Sequence, residues 1–360
     1  MDKIAIKLNS DLTKSEIIQL LALDDFTPVY EAADRVRAEN VGDVVHLRAI
    51  IEFSNICKRQ CIYCGLNTDN EDLPRFRMTH EEIVATAREA VEAGYRTIVL
   101  QSGEDPWFTP ERLGAIIEDI KAIKITDIGT NEFVHPAVTI SCGEMSEEDY
   151  AYLKSKGADR YLLKHETADP EAYSRLHPCG TLENRINCLK TIHELGYETG
   201  SGFMIGLPGQ TLETIAEDLM LLRDIPCQMA GIGPFISNPK TALAGEKNGD
   251  PELTRRAVAL ARLLLPKANL PVTTALSIMS EEEKSHSNDQ QGEATAKRSG
   301  TAGAAENPFA FGANVVMKKV TPDQYKEAYE IYPADFKPTD IAGDRKELEE
   351  IIKSYGRMPL

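Results

Sequence analysis

Eight short apolar runs, nearly all separated by helical stretches, set the strongest limit on how this 360-residue chain can fold. They read VVHLRAIIEFSN (44–55), TIVLQSGED (97–105), AVTISCGE (137–144), RYLLKHET (160–167), ETGSGFMIGLPG (198–209), MAGIGPFIS (229–237), PVTTALS (271–277) and ANVVM (313–317). Each has the length and residue content of a buried strand, and the segments between them carry helical apolar spacing. Thr79 followed by Glu82 is a capping box that predicts a helix through about Ala93. Repeated βα units of this kind predict a parallel (βα)8 TIM barrel. Periodicity does not show closure, so a doubly wound open sheet is the alternative.

Residues 1–43 read as an N-terminal helical extension, with Thr13 or Ser15 able to cap KSEIIQLLAL. The barrel then spans 44–320, and 321–360 reads as a C-terminal helical extension with Pro322 at a helix start. The stretch 280–308 is polar and rich in small residues, which predicts a flexible loop between the seventh and eighth strands. With 57 acidic against 40 basic side chains, the net charge of -17 disfavours nucleic acid and anionic membrane as partners. No apolar run is long enough for a membrane helix, and the N-terminus lacks an apolar signal core, so the expected location is cytoplasmic.

Seven cysteines, an odd number, argue against a disulfide framework. Three of them, Cys57, Cys61 and Cys64, lie in FSNICKRQCIYCGLN with spacing C-x3-C-x2-C. A structural zinc site needs four ligands, usually as two pairs, and no second pair exists. An iron–sulfur cluster held by three thiolates leaves one iron open for a small molecule. Cys142, Cys179, Cys188 and Cys227 stand singly and are expected to be buried, inert thiols. His165 is expected to be packed and hydrogen-bonded rather than catalytic.

The triplet at the end of the first strand-like run, together with Ser102-Gly103-Glu104 ending the second, resembles the radical S-adenosylmethionine (SAM) superfamily. Within it, RFRMTHEEI, GADRYLLKHETADP, LENRINCL, HELGYETGSGFMIGLPGQT, GIGPFISNP and GANVVM resemble the HydE family of FeFe-hydrogenase maturases from about residue 45 to 320. Biotin synthase shares the triplet, but its second cluster needs cysteines on inner strands that LLKHET and GSGFMIGLPG lack. Methylornithine synthase shares the scaffold, yet GLPGQT and GIGPFI fit HydE better.

The resemblance implies a 4Fe–4S cluster on Cys57, Cys61 and Cys64 and reductive cleavage of SAM to a 5′-deoxyadenosyl radical. It implies that Tyr63 packs near the SAM adenine and that Gln101, Ser102, Gly103 and Glu104 line the SAM pocket. Gly103 is expected to let the backbone approach the ligand. Glu166 and Arg185 would fix the SAM ribose and carboxylate. Arg160, Thr273 and Thr274 would line the substrate cavity, with Met317 and Tyr332 closing it. The implied substrate is a cysteine-bound iron dicarbonyl cyanide species, a small organometallic and amino-acid-derived molecule. An external electron donor and transient contact with the maturases HydG and HydF are implied partners. Three departures stand out: Lys164 where arginine is expected, no cysteine after Cys227 for an accessory cluster, and the long 280–308 loop. The alternatives are another amino-acid-derived substrate, or a non-catalytic iron–sulfur carrier that would have no use for a SAM pocket.

Overall fold

The computed structural model describes residues 6–126, 133–272, 307–333 and 336–360. Thr273, Thr274 and the 280–306 part of the polar stretch therefore lie outside the described residues. Eight strands build the central sheet: β1 Val44–Ser54, β2 Thr97–Ser102, β3 Ala137–Ser141, β4 Arg160–Leu162, β5 Glu198–Ser201, β6 Met229–Ala230, β7 Pro271–Val272 and β8 Val315–Lys319. They pair in the order β7-β8-β1-β2-β3-β4-β5-β6, every pair parallel. Between β6 and β7 the ring is joined by a parallel bridge from Met229 to Asn269. There the Ala230 amide donates to the Asn269 carbonyl at 3.1 Å and the Asn269 amide to the Gln228 carbonyl at 2.8 Å. The sheet is a barrel, and the open doubly wound alternative is excluded.

The pleat of each strand sorts its side chains between helices and lumen. On β1, Val45, Leu47, Ala49, Ile51 and Phe53 join the main apolar core under the helices. The alternate residues His46, Arg48, Ile50 and Glu52 face the lumen. The same alternation turns Gln101, Thr139, Arg160, Glu198, Met229, Met317 and Lys319 inward. Barrel interiors of this kind are usually filled with branched apolar side chains. This lumen instead carries the charged side chains Arg48, Glu52, Arg160, Glu198 and Lys319 among its apolar and neutral ones.

Helices His80–Glu92, Pro110–Lys121, Glu147–Ser155, Leu182–Glu194, Leu212–Asp224 and Pro251–Leu264 cover the outside. The Thr79–Glu82 capping box is present, with the reciprocal Glu82 carboxylate accepting the Thr79 amide at 2.8 Å. Thr13 caps Lys14–Leu21, and the following helix Thr27–Val41 packs against Pro251–Leu264. No described helix is long and apolar enough to cross a membrane.

The C-terminal stretch contains a short helix Asp323–Lys326, a longer one Ile341–Ser354, and an unanticipated strand Met358–Pro359. That strand pairs with Val44 and Val45 of β1. β2 meets β1 only from Ala49 onward, so the first residues of β1 have an open edge that the tail fills.

Candidate functional site

The loop leaving β1 carries the three cysteines and is held by side chains in place of regular structure. Arg75 donates to the carbonyls of Asn55, Leu66, Asn67 and Asn70 at 2.7, 2.9, 2.6 and 3.0 Å. Asn55 donates to Pro74 and Ala328 carbonyls at 2.8 and 2.7 Å, which ties the loop to the C-terminal segment. These bonds satisfy backbone groups that no ladder reaches.

Cys57, Cys61 and Cys64 are partly buried free thiols. The Cys57 sulfur accepts the backbone amides of Arg59 and Glu104 at 3.5 and 3.4 Å. Burial pushes all three thiols up, Cys61 to about 12, and Cys61 also feels the charge of Cys57. Thiols so placed need a cation to become thiolates. Among the described residues, no three His, Cys, Asp or Glu side chains converge as a single metal ion would require. Three neighbouring thiols on one loop fit a cluster held by three thiolates with one iron left open.

Gly103 closes the second strand end against this loop. A Cβ there would lie 2.3 Å from the Ile56 carbonyl oxygen and 2.7 Å from the Cys57 Cβ. The close approach that requires glycine is thus to the cysteine loop. Ser102 turns its hydroxyl onto the Gly103 carbonyl at 2.7 Å.

Glu104 accepts from Arg59 Nε at 2.6 Å and from the Glu144 amide at 3.0 Å. Glu144, at the end of β3, in turn accepts from Arg59 Nη2 at 2.8 Å, Asn184 at 2.7 Å and Arg185 Nε at 2.6 Å. Burial opposes ionisation of Glu144, but Arg185 and Arg59 outweigh it and hold its carboxyl below the usual range. The two glutamates and two arginines form one buried network joining the cysteine loop, β2, β3 and helix Leu182–Glu194.

Gly143 makes that network possible. Its φ is +82°, and a Cβ would lie 2.1 Å from the Glu104 Cγ. Gly143→Ala is expected to cost about 3 kcal/mol from strain and overlap. Gly196→Ala is the control: φ is +78° there with nothing within 4 Å of the added atom, so about 1 kcal/mol is expected. Urea unfolding of both variants measures the difference.

Arg185 also donates to the Lys164 carbonyl at 2.5 Å and lies over the Tyr173 ring. Glu166 has φ +66°, the one positive φ outside glycine among the described residues. Its backbone is pinned to Gly202 and Met204 at 3.0 and 3.1 Å. Such a backbone is stored strain of the kind found at functional sites. Lys164 Nζ stands 3.0 Å from Glu166 Oε2, yet that buried oxygen makes no hydrogen bond among the described residues. Tyr63 packs near Leu176, Met204, Leu207 and Phe235, and its hydroxyl meets His177 Nε2 at 3.0 Å. Burial, reinforced by the Arg185 charge, lowers His177 to about 4, so the imidazole is neutral near pH 7.

The expected cavity residues are dispersed. Arg160 is the first residue of β4, at the barrel end opposite the cysteine loop, paired to Glu198 at 2.6 Å. Arg48 faces the same lumen with Met229 Sδ at 3.1 Å, and its Nε has no partner among the described residues. Met317 is opposite Arg48 on β8, and Tyr332 lies near Lys319. Tyr329, which sequence reasoning missed, is buried in an apolar cluster with Leu66 and Leu73, against which Cys57 and Cys64 pack.

Two single-residue readings are settled by contacts. His165 is fully buried, with Ser201 at 2.9 Å and Asp218 at 3.4 Å, as a packed histidine would be. Cys142, Cys188 and Cys227 are buried, but Cys179 is exposed, its sulfur 2.8 Å from Gln60 Oε1. The reading of Cys179 as buried is therefore corrected: it follows a helix end and rides on the outside of the cysteine loop. A cleft of about 420 Å3 lies beside Glu104, lined by Lys58, Phe108, Cys142 and Asn184 among others. It includes Ser102, Gly103 and Glu104 of the expected SAM pocket, but not Tyr63, Glu166, Arg185 or the three loop cysteines.

A model of the radical SAM superfamily matches residues 51–222. The [FeFe] hydrogenase maturase subunit HydE of Thermotoga maritima is 44% identical over 326 residues, which cover 90% of this chain and 84% of that one. The chain belongs to the HydE family of radical SAM enzymes. The 3-methylornithine synthase of Methanosarcina acetivorans is 29% identical over 74% of this chain and 73% of its own. A solved methylornithine synthase superposes with a TM-score of 0.76 at 26% identity, over 97% of this chain and 94% of that one.

As a radical SAM enzyme of the HydE family, the chain uses a 4Fe–4S cluster and SAM. The three loop thiols, the amides on Cys57 and a Glu166 oxygen that is ion-paired but makes no hydrogen bond among the described residues fit those cofactors.

Proposed function

We propose that this enzyme acts as a HydE maturase on a cysteine-bound iron dicarbonyl cyanide precursor in assembly of the FeFe-hydrogenase active-site cluster. The observation that carries the reading is the lumen: a closed barrel whose inner wall bears Arg48, Glu52, Gln101, Arg160, Glu198 and Lys319 beneath a three-thiol loop. A charged, amino-acid-derived molecule suits such walls, and an apolar one does not. The 44% identity to the Thermotoga maritima maturase supports the same reading.

In this assignment Cys57, Cys61 and Cys64 hold the cluster, which when bound supplies the electron that cleaves SAM. Glu166 and Arg185 orient SAM, with Tyr63 packing near its adenine and Gln101, Ser102, Gly103 and Glu104 shaping the pocket from strand β2. Arg185 is held by Glu144 and the Lys164 carbonyl, so its remaining donors are fixed in direction before SAM arrives. Arg160 and Arg48 supply positive charge to the far end of the lumen, and Met317 and Tyr332 contribute to its wall. Thr273 and Thr274 are proposed as substrate-binding residues. The barrel excludes water and competing hydrogen donors from the reaction. A partner maturase of the HydG type would deliver the substrate, a HydF type would receive the product, and an external donor would supply the electron.

Lys164 favours a second reading, another amino-acid-derived substrate. A lysine ammonium is a point charge without the two-pronged fork of arginine, and here it is turned onto Glu166.

The test is mass spectrometry of products from anaerobically reconstituted enzyme, SAM and dithionite, with and without the cysteine–iron dicarbonyl cyanide complex. An adduct joining the adenosyl carbon to the cysteine sulfur is the expected result. Equal deoxyadenosine with and without the complex, and no adduct, would move the assignment to the second reading.

A further inference from the structure

We infer that Glu52 and Lys319 form an amino-acid subsite, in which the carboxylate of Glu52 receives the substrate ammonium and Lys319 receives its carboxylate. This rests on the reading of the lumen as the substrate chamber.

Glu52 lies two residues before the end of β1, and Lys319 is the last residue of the adjoining β8. Both therefore sit at the end of the lumen nearest the cysteine loop. Lys319 Nζ is 2.9 Å from Glu52 Oε1. Glu52 is fully buried, and neither carboxylate oxygen makes a hydrogen bond among the described residues. An ionised carboxylate has room for about four donors, and here the Lys319 ammonium and the nearby Thr321 side chain are its partners, which leaves acceptor capacity open. The Glu52 amide donates to Thr321 Oγ1 at 2.8 Å, so the backbone there is fixed. Tyr329 and Tyr332 flank Lys319, and Lys326 adds a more distant positive charge toward Glu52.

An ion pair kept only for stability does not fit these facts. Apolar replacements of a buried pair are commonly neutral or stabilising, and buried pairs that persist are usually completed by further hydrogen bonds. The outward residues of β1 show that this strand accepts apolar side chains freely. The pair instead presents unused acceptor capacity and a cation side by side. An α-amino acid matches that arrangement, since its ammonium brings three donors and its carboxylate two acceptors. Inserted between them, the zwitterion makes an alternating set of four charges and leaves the rest of the molecule below the cysteine loop.

The test is calorimetric titration of reconstituted enzyme loaded with saturating SAM, which occupies the other amino-acid site, in the absence of reductant. The probes are S-methyl-L-cysteine and its desamino analogue, 3-(methylthio)propionate. Glu52→Gln is expected to weaken the amino acid at least about tenfold and to leave the desamino analogue within about twofold. Lys319→Met is expected to weaken both probes. The double variant Glu52→Gln/Lys319→Gln strands no single charge and carries the test if a single variant does not fold. Its expected result is the same loss for the amino acid. SAM cleavage by the unaltered enzyme on reduction, read separately, keeps failure of the subsite distinct from failure of the enzyme assignment. Amino-acid affinity unchanged within about twofold in the double variant, or no binding to the unaltered enzyme, would overturn the inference. It would return Glu52 and Lys319 to a purely structural role.

Discussion

Replacing Cys57, Cys61 or Cys64 by alanine is expected to lower SAM cleavage at least about a thousandfold and to strip most of the bound iron. Replacing Cys179 is expected to change neither. All four thiols lie on or against the same loop, so proximity alone does not separate them. The difference lies in what surrounds each sulfur. Cys57 receives two backbone amides, and the three loop thiols are close enough to perturb one another. Cys179 is exposed and turned onto Gln60. A thiolate with amide donors is the arrangement that stabilises and tunes an iron–sulfur ligand. Iron analysis and single-turnover deoxyadenosine formation on the four variants decide the matter. Full iron in a Cys61→Ala protein would contradict the assignment.

Arg185→Met carries the second large effect. Arg185 is the common partner of the Glu144 carboxylate and the Lys164 carbonyl, linking the end of β3 to the chain beyond β4. Its loss leaves Glu144 with Arg59 and Asn184, and leaves the Lys164 carbonyl without its guanidinium partner. Breaking one side of a buried ion pair costs about 3–5 kcal/mol. SAM affinity should fall at least about a hundredfold as the orienting fork disappears. Arg185→Lys keeps the charge without the fork and is expected to recover less than half of either loss. Thermal unfolding and equilibrium SAM binding measure the two losses separately. A stable Arg185→Met protein with unchanged SAM affinity would show that Glu144 alone organises this corner.

The barrel was legible because each strand is a compact apolar run and each helix carries its own start signal. Thr79–Glu82 could be read from two residues because a capping box is a local bond pattern. The three cysteines were legible for a similar reason, since their chemistry is set by spacing within one loop. What the chain does not disclose locally is which side chains meet across strand ends. Glu144 closes the apolar run AVTISCGE, yet it joins two arginines more than forty positions away on either side. Gly143 carries no signal of its own in the sequence, although its bare Cα is what makes room for Glu104.

The C-terminal strand escaped notice because two residues carry no periodicity and their partner edge exists only once β1 overhangs β2. The polar lumen was half visible. Arg48 and Glu52 are charges within the first apolar run and Lys319 follows the last, but only the ring closure turns them toward one another. Arg160 could be placed on an inward face from the sequence, yet its position at the far end of the lumen depends on where β4 begins.

The account turns on a three-thiolate cluster with one iron open to SAM. Electron paramagnetic resonance of the reconstituted, dithionite-reduced enzyme, recorded before and after SAM is added, tests this most directly. The expected spectrum is that of a single reduced 4Fe–4S cluster, with about four irons per chain, whose g-values shift when SAM is added. A spectrum unmoved by saturating SAM, or one showing two clusters per chain, would contradict it.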